Sequence, residues 1–329
     1  MKHLSILVPD EQTTFGTIAC IVGSYQVFTE ANSCFERKGK SPVFKVDLVG
    51  ANSNQFLNNS AFSIRHQLSV TELEQTSLII IPASLIRTYD KSTNNNKLLI
   101  DWIAMQYKQG AEVASMCAGS FMLAATGILS GKICSTHWAL SDKFREMYPD
   151  VNLRSDKLIT DEKGIYTNGG AYSFLHLLMY LVEKFYDRAT AIHCAKYFQI
   201  DLDRNMQAEF SIFNGHKSHA DEVVLNAQKF IEMNFREKIS MEKLSSDLVT
   251  GRRNFDRRFI KSTGLSPLEY LQRVRIEAAK KMFESTRKNV AEVMYEVGYN
   301  DAKAFREVFG RVTGLSPHEY KSKYNKEMN

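Results

Sequence analysis

The chain writes one eight-residue phrase twice. Residues 263–270 are TGLSPLEY and residues 313–320 are TGLSPHEY, fifty positions apart with seven letters in common. Phe255 and Phe259 recur at the same offset as Phe305 and Phe309. A fifty-residue period seen twice marks a duplicated structural unit, with too few copies for a solenoid. Whatever one copy folds into must therefore be built twice, and this constrains the whole C-terminal third.

Each copy has a physical content. Gly264 and Gly314 follow apolar-periodic runs, as expected where a helix ends in a left-handed residue. Ser266-Pro267 and Ser316-Pro317 then supply an N-cap and a first helical position. Glu269 and Glu319, three residues after the serines, complete capping boxes. The Phe pairs at i and i+4 put two rings on one helix face, suited to burial. Upstream lie two further short amphipathic segments, 240-SMEKLSSDL-248 with Ser240 as N-cap and 289-NVAEVMYEVGY-299 with Asn289 as N-cap. Two short helices joined by a tight turn make a helix-turn-helix. The pattern predicts two of them, bridged by a helix over residues 267–284.

The second helix of each unit carries the chemistry. In the first copy it opens 252-RRNFDRRF-259. Arg252 begins the helix and counts among the DNA-binding candidates on its reading face; with Phe255 and Phe259 buried, Arg253, Asp256 and Arg257 project from the opposite side. Arginine bonds guanine O6 and N7 bidentately in the major groove, and first-turn positions suit a recognition helix. The corresponding face of the second copy is Lys303, Arg306 and Glu307, which is less basic. From Asp221 onward the chain has 21 Lys+Arg against 16 Asp+Glu, whereas residues 1–220 carry 21 of each. The net positive charge therefore lies in the last third, as a phosphate-binding footprint requires.

From about 222 to 325 the sequence resembles the AraC-type DNA-binding domain, with its two helix-turn-helix units and GLSPxEY signature. The resemblance implies two recognition helices in successive major-groove segments. Its readers would be Arg253, Asn254, Asp256 and Arg257, then Lys303, Arg306 and Glu307; many relatives have Arg where this chain has Glu307.

At 329 residues the chain should hold two domains. No apolar run reaches membrane-spanning length. The start, MKHLSILVPDEQ, meets Asp10 and Glu11 directly after a short apolar stretch and reads as a first strand, not a secretory signal. The five cysteines, at 20, 34, 117, 134 and 194, are odd in number and lack CxxC spacing. They suit reduced thiols in a cytoplasm and argue against a disulfide framework or a zinc site. No metal or cofactor is expected.

Residues 1–200 alternate strand-like and helix-like segments. Strands are expected at 4–9, 43–49, 77–83 and 112–116, with helices near 16–31 and 97–109. The near-continuous apolar runs suit strands covered on both faces, and the alternation argues for a flavodoxin-like parallel sheet flanked by helices. Ligands in such sheets bind beyond the carboxyl ends of the strands. At 112-EVASMCAGSFMLAATGILSGK-132 a strand ends at Met116, and Cys117-Ala118-Gly119-Ser120 leads into an apolar helix, which resembles a nucleophile elbow. A cysteine at a helix N-terminus is expected to have a lowered thiol pKa; the plain alternative is a small buried residue in a tight turn.

Residues 1–195 resemble the glutamine-amidotransferase-like (ThiJ/PfpI) fold, and CAGSFMLAATGILSGKICSTHW resembles the elbow and THW motif of its regulator branch. In that branch this domain precedes an AraC-type domain, the order found here. Catalytic members pair the elbow cysteine with a His, often the next residue; here that residue is Ala118. His137 is then the nearest partner for Cys117, and the pair stand as vestigial catalytic candidates in a non-catalytic domain. Asp10, Cys117, Ala118, His137 and Trp138 are the candidate ligand pocket. The apolar run 173–186 reads as a core helix or dimer face, His176 and His193 as structural.

The expected organisation is an α/β domain over 1–200, a linker over 201–221 and an all-α domain with two helix-turn-helix units over 222–329. The expected function is a cytoplasmic transcription regulator. Its partners would be operator DNA, a small-molecule effector, RNA polymerase and a second copy of itself, with no membrane. Two rival functions stay open at this point: a Cys117-dependent amidase or hydrolase, and a redox sensor using Cys117.

Overall fold

The computed structural model describes residues 1–9, 14–52, 56–58, 62–84, 96–202, 206–217 and 219–325. It forms two compact units, Met1–Gln207 and Ala208–Asn329.

In the first unit, seven strands form one sheet: β1 (Lys2–Leu7), β2 (Phe44–Gly50), β3 (Leu68–Ser69), β4 (Leu78–Ile81), β5 (Glu112–Met116), β6 (Ile159–Glu162) and β7 (Ile165–Asn168), in the order β6-β7-β5-β4-β1-β2-β3. All neighbours are parallel except β6 and β7. Six helices accompany it: α1 (Phe15–Arg37), α2 (Lys97–Lys108), α3 (Gly119–Ala125), α4 (Ser141–Met147), α5 (Phe174–Phe185) and α6 (Arg188–Phe198). The unbroken Leu78-Ile79-Ile80-Ile81 follows from this layering. Leu78 and Ile80 pack with α1, α5 and α6 on one face. Ile79 and Ile81 pack with Leu99, Trp102, Phe121 and Phe144 on the other. Strands buried on both sides have no polar face to alternate with.

The four expected strands and both expected helices are present, with α1 running on to Arg37. The sequence pattern missed β3, and it missed β6 and β7. The latter two form an antiparallel hairpin whose two-residue loop is Lys163-Gly164, with φ of 53° and 75°. Positive φ at both positions is the signature of a type I′ turn, and the polar letters of ITDEKG hide the strand beside it.

The second unit is helical: α7 (Glu222–Asn234), α8 (Met241–Asp247), α9 (Arg252–Thr263), α10 (Pro267–Ser285), α11 (Val290–Glu296), α12 (Ala302–Thr313) and α13 (Pro317–Tyr324). The pairs α8–α9 and α11–α12 are the two helix-turn-helix units. Each letter of the repeated phrase has a place. Gly264 and Gly314 end α9 and α12 with φ of 72° and 80°. Thr263 and Thr313 donate back to Phe259 O and Phe309 O, both at 2.8 Å. Ser266/Glu269 and Ser316/Glu319 form the capping boxes that start α10 and α13. Tyr270 and Tyr320 are buried, and their hydroxyls donate to Glu232 Oε1 at 2.6 Å and Glu284 Oε1 at 2.5 Å. Two cores result. Phe255, Phe259, Tyr270 and Leu271 belong to one, and Ile276, Phe283, Phe305, Phe309 and Tyr320 to the other. Helix α10 feeds both, and Phe235 packs against both.

Two residues within the span expected as a linker are packed, each in its own unit. Gln207 is buried in the first unit. Phe213 packs against the first helix-turn-helix core, its N–H donating to Glu277 Oε2 at 3.2 Å.

The two turns differ in one respect. Val249 between α8 and α9 has φ of 53° and is 95% exposed. Between α11 and α12 the left-handed residue is Gly298, φ 86°, where a Cβ would lie 2.5 Å from Arg236 O. Left-handed backbone costs an L-residue about 1–2 kcal/mol, and glycine's extra unfolded-state freedom returns about 0.5–1 kcal/mol of that. Val249→Gly should therefore stabilise the second unit by about 0.5–1 kcal/mol, and Gly298→Ala should destabilise it by about 2–4 kcal/mol. A two-domain chain need not unfold in one transition, so the check is hydrogen-exchange protection of α9 and α12 in the full chain: raised in the first variant, lowered in the second.

Candidate DNA-reading faces and elbow site

Helix α9 holds four arginines, and the structure divides them. Arg252 donates through Nε to both Asp256 oxygens at 2.9 Å and through Nη1 to Glu242 Oε1 on α8 at 2.7 Å. Arg258 forms a two-pronged bond with Asp221, the N-cap of α7, at 2.9 and 2.6 Å. That pairing draws the Asp221 pKa below the ordinary carboxylate value, the Arg258 hydrogen bond being the largest cause. These two arginines fix the recognition helix against its neighbours. Arg253, Asn254 and Arg257 are exposed, and Arg257 Nη2 donates to Asn254 Oδ1 at 3.0 Å. Arg252 and Asp256, expected on the reading face, engage each other at half-buried positions. The expectation did not include Glu242 or Asp221; an N-cap aspartate was a visible signal, but its partner on α9 is 37 residues away.

On α12, Lys303, Arg306 and Glu307 are all exposed. The N-cap is Asp301, whose Oδ1 accepts from the N–H groups of Lys303 at 2.7 Å and Ala304 at 3.0 Å. Helix α9 begins instead at Gly251 with no side-chain cap.

The elbow of the first unit lies where β5 meets α3. Cys117 takes φ of 53°, and its N–H donates to Asn168 O at 3.0 Å and Asn168 Oδ1 at 3.2 Å. Its carbonyl accepts from Ser120 Oγ at 3.0 Å and Thr136 Oγ1 at 3.2 Å. Gly119 permits the close approach to β4, since a Cβ there would stand 2.6 Å from Pro82 O. Thr136 accepts in turn from Ser120 Oγ at 2.7 Å. The buried Gln207 side-chain amide donates to Thr136 O at 2.9 Å and Lys157 O at 3.2 Å. Thr136 of the STHW segment therefore buttresses the elbow. Asn168 and Gln207, absent from the sequence expectation, complete that support.

The thiol departs from expectation. Burial pushes Cys117 up to about 11, outweighing the lowering by the Ala118 backbone N–H. The seven-residue α3 begins at Gly119, and its N-terminus does not offset desolvation. His137 reaches no hydrogen bond to Cys117 among the described residues. Its Nδ1 accepts from Ala139 N at 3.1 Å, burial holds its pKa below the usual imidazole value, and its ring leans on Trp138 with centroids 5.4 Å apart. Ala118, beside Cys117, is buried. Asp10 lies outside the described residues. Among the described residues no cluster of His, Cys, Asp or Glu has metal-binding form, and no helix is long and apolar enough to cross a membrane.

Fold and faces define a class: an α/β domain with a strand-to-helix elbow, followed by a double helix-turn-helix domain. Residues 28–184 match the DJ-1/PfpI family and residues 244–323 a helix-turn-helix domain, so this chain joins a domain of the first kind to one of the second. The HTH-type transcriptional regulator GbdR of Pseudomonas aeruginosa is 25% identical over 221 residues, 67% of this chain and 60% of GbdR. The match thus spans less than two thirds of that relative's length. CdhR, another HTH-type transcriptional regulator of that organism, is 18% identical over 278 residues, 84% of this chain and 81% of CdhR. A crystal structure of a protein from Vibrio parahaemolyticus shares the fold with a TM-score of 0.51 at 21% identity, covering 60% of this chain and 98% of that one.

A raised thiol pKa keeps Cys117 protonated at neutral pH, so its reactivity should climb with alkalinity instead of levelling early. Alkylation of Cys117 by iodoacetamide, followed on its own peptide by mass spectrometry, should rise about tenfold per pH unit from pH 7 and level only near the thiol pKa of about 11. A plateau by pH 8 would mean that the fold stabilises the thiolate.

Proposed function

We propose that this chain is a sequence-specific, duplex-DNA-binding transcription regulator whose DJ-1/PfpI domain senses a small molecule or pairs two copies of the chain. One observation carries the DNA-binding part: within the duplicated helix-turn-helix Arg252 and Arg258 tie α9 to α8 and α7 while Arg253, Asn254 and Arg257 are exposed. Inner arginines that fix the helix and outer arginines that stay available are what base recognition by a preorganised helix needs. The curated relatives GbdR and CdhR are transcriptional regulators, which supports the same function.

The elbow supports ligand holding over turnover. A buried neutral thiol without a hydrogen-bonded base is a poor nucleophile, and the same burial makes it a poor peroxide sensor. The Cys117 elbow follows the carboxyl end of β5, the position at which open α/β sheets bind ligands, and this supports placing an effector there. An effector there would act by favouring one of two states of the protein with different affinity for DNA or for RNA polymerase.

Binding to a promoter fragment should weaken steeply with salt, with a log–log slope set by the phosphates contacted. Arg253→Ala and Arg257→Ala should each cost about 1–3 kcal/mol at particular base pairs. Arg252→Ala should instead weaken binding to all sequences alike, because it loosens the helix that carries the readers. Fluorescence anisotropy at several salt concentrations checks all three; salt-independent binding, or none to any promoter fragment of the host, would sink the function.

A further inference from the structure

The two reading helices carry one carboxylate each on their second turns, and the structure treats them differently. Asp256 on α9 is half-buried and takes both contacts of Arg252 Nε at 2.9 Å. Glu307 on α12 is exposed, and among the described residues it makes no hydrogen bond or ion pair, although Lys303 stands one turn before it. By the fifty-residue offset Glu307 occupies the place of Arg257. The N-cap Asp301 is a second carboxylate on this helix, where α9 has Gly251. Over the first two turns, α9 therefore presents Arg253 and Arg257, a net of +2 once Arg252 and Asp256 cancel, whereas Lys303, Arg306, Asp301 and Glu307 sum to zero on α12.

We propose that Glu307 is a specificity-determining residue of the second reading helix and that it selects a base pair presenting a cytosine amine in the major groove. The inference rests on the DNA-binding function proposed above. An exposed carboxylate facing a polyanion loses affinity unless a donor on a base edge meets it. An ionised carboxylate only accepts hydrogen bonds. Guanine offers two acceptors, N7 and O6, and thymine O4 is an acceptor too, so both repel it. Adenine has a donor at N6 but an acceptor at N7 beside it. Cytosine N4 is the one major-groove donor without that neighbour. The two copies of the repeat would then take opposite members of a G·C pair, Arg257 the guanine of one half-site and Glu307 the cytosine of the other. The duplicated scaffold would read an asymmetric site.

The test is selection from a pool of duplexes randomised across the whole site, using the full chain as wild type, Glu307→Gln and Glu307→Ala. The exposed position leaves folding out of the comparison, and equal melting of the three proteins verifies this. Wild type should enrich cytosine at one position about tenfold over other bases, within the range expected for one specific contact. Glu307→Gln should shift that position toward adenine, which an amide bonds through N6 and N7. Glu307→Ala should leave the position indifferent without weakening overall binding. The same preference in all three proteins would overturn the assignment while leaving DNA binding intact. Failure of every protein to enrich any sequence would remove the DNA-binding function and the assignment with it.

Discussion

The second domain depends on a reversal of chain direction performed twice by the same few atoms. A left-handed glycine stops each recognition helix, and a serine two residues on starts the next one. The glycine tolerates the backbone, the threonine before it satisfies a helix-end carbonyl, and the capping box satisfies helix-start donors. The tyrosine that closes the phrase is buried against the preceding phenylalanines, with Phe259–Tyr270 and Phe309–Tyr320 ring centroids at 5.3 and 5.5 Å. The outward presentation of Arg253 and Arg257 follows from this, because their helix is held at its end, along its apolar face and by two inner arginines.

The first domain solves a different problem with similar economy of means. Its elbow needs a positive φ at Cys117 and a close approach at Gly119, and both are supported by hydrogen bonds to Asn168, Ser120 and Thr136. The dense packing that supports the elbow also desolvates the thiol. In some proteins the same turn yields a reactive nucleophile; here burial dominates and raises the pKa of the thiol at the carboxyl end of an internal strand.

How much of this could be read in the letters depended on the range of the interactions. The capping boxes, the left-handed glycines and the Phe pairs are local, so the helix-turn-helix units were legible to within a residue or two. Strands β1, β2, β4 and β5 were legible because double-sided burial writes continuous apolar runs. The β6–β7 hairpin was not, because its turn chemistry rests on Lys163 as well as Gly164. Nor was the thiol shift, which arises from strands and loops distant in sequence, or the division of labour among the four arginines of α9, since Asp221 and Glu242 meet them only in three dimensions. Position 307 is the opposite case: its letter was plain, and only the contrast with the engaged Asp256 gave it meaning.

Helix α10 contributes Tyr270 and Leu271 to one core and Ile276, Ala279 and Phe283 to the other without a break. Its 19 residues rise about 28 Å, a little less than the 34–36 Å of one duplex turn. A continuous helix anchored in a core at each end behaves as a rod, not a hinge. On the DNA-binding function proposed above, inserting or deleting one base pair between two half-sites would turn one of them about 34° around the duplex axis and move it by about 3.4 Å, a change that a continuous helix does not absorb. The spacing of an operator would then be written into the protein as a length.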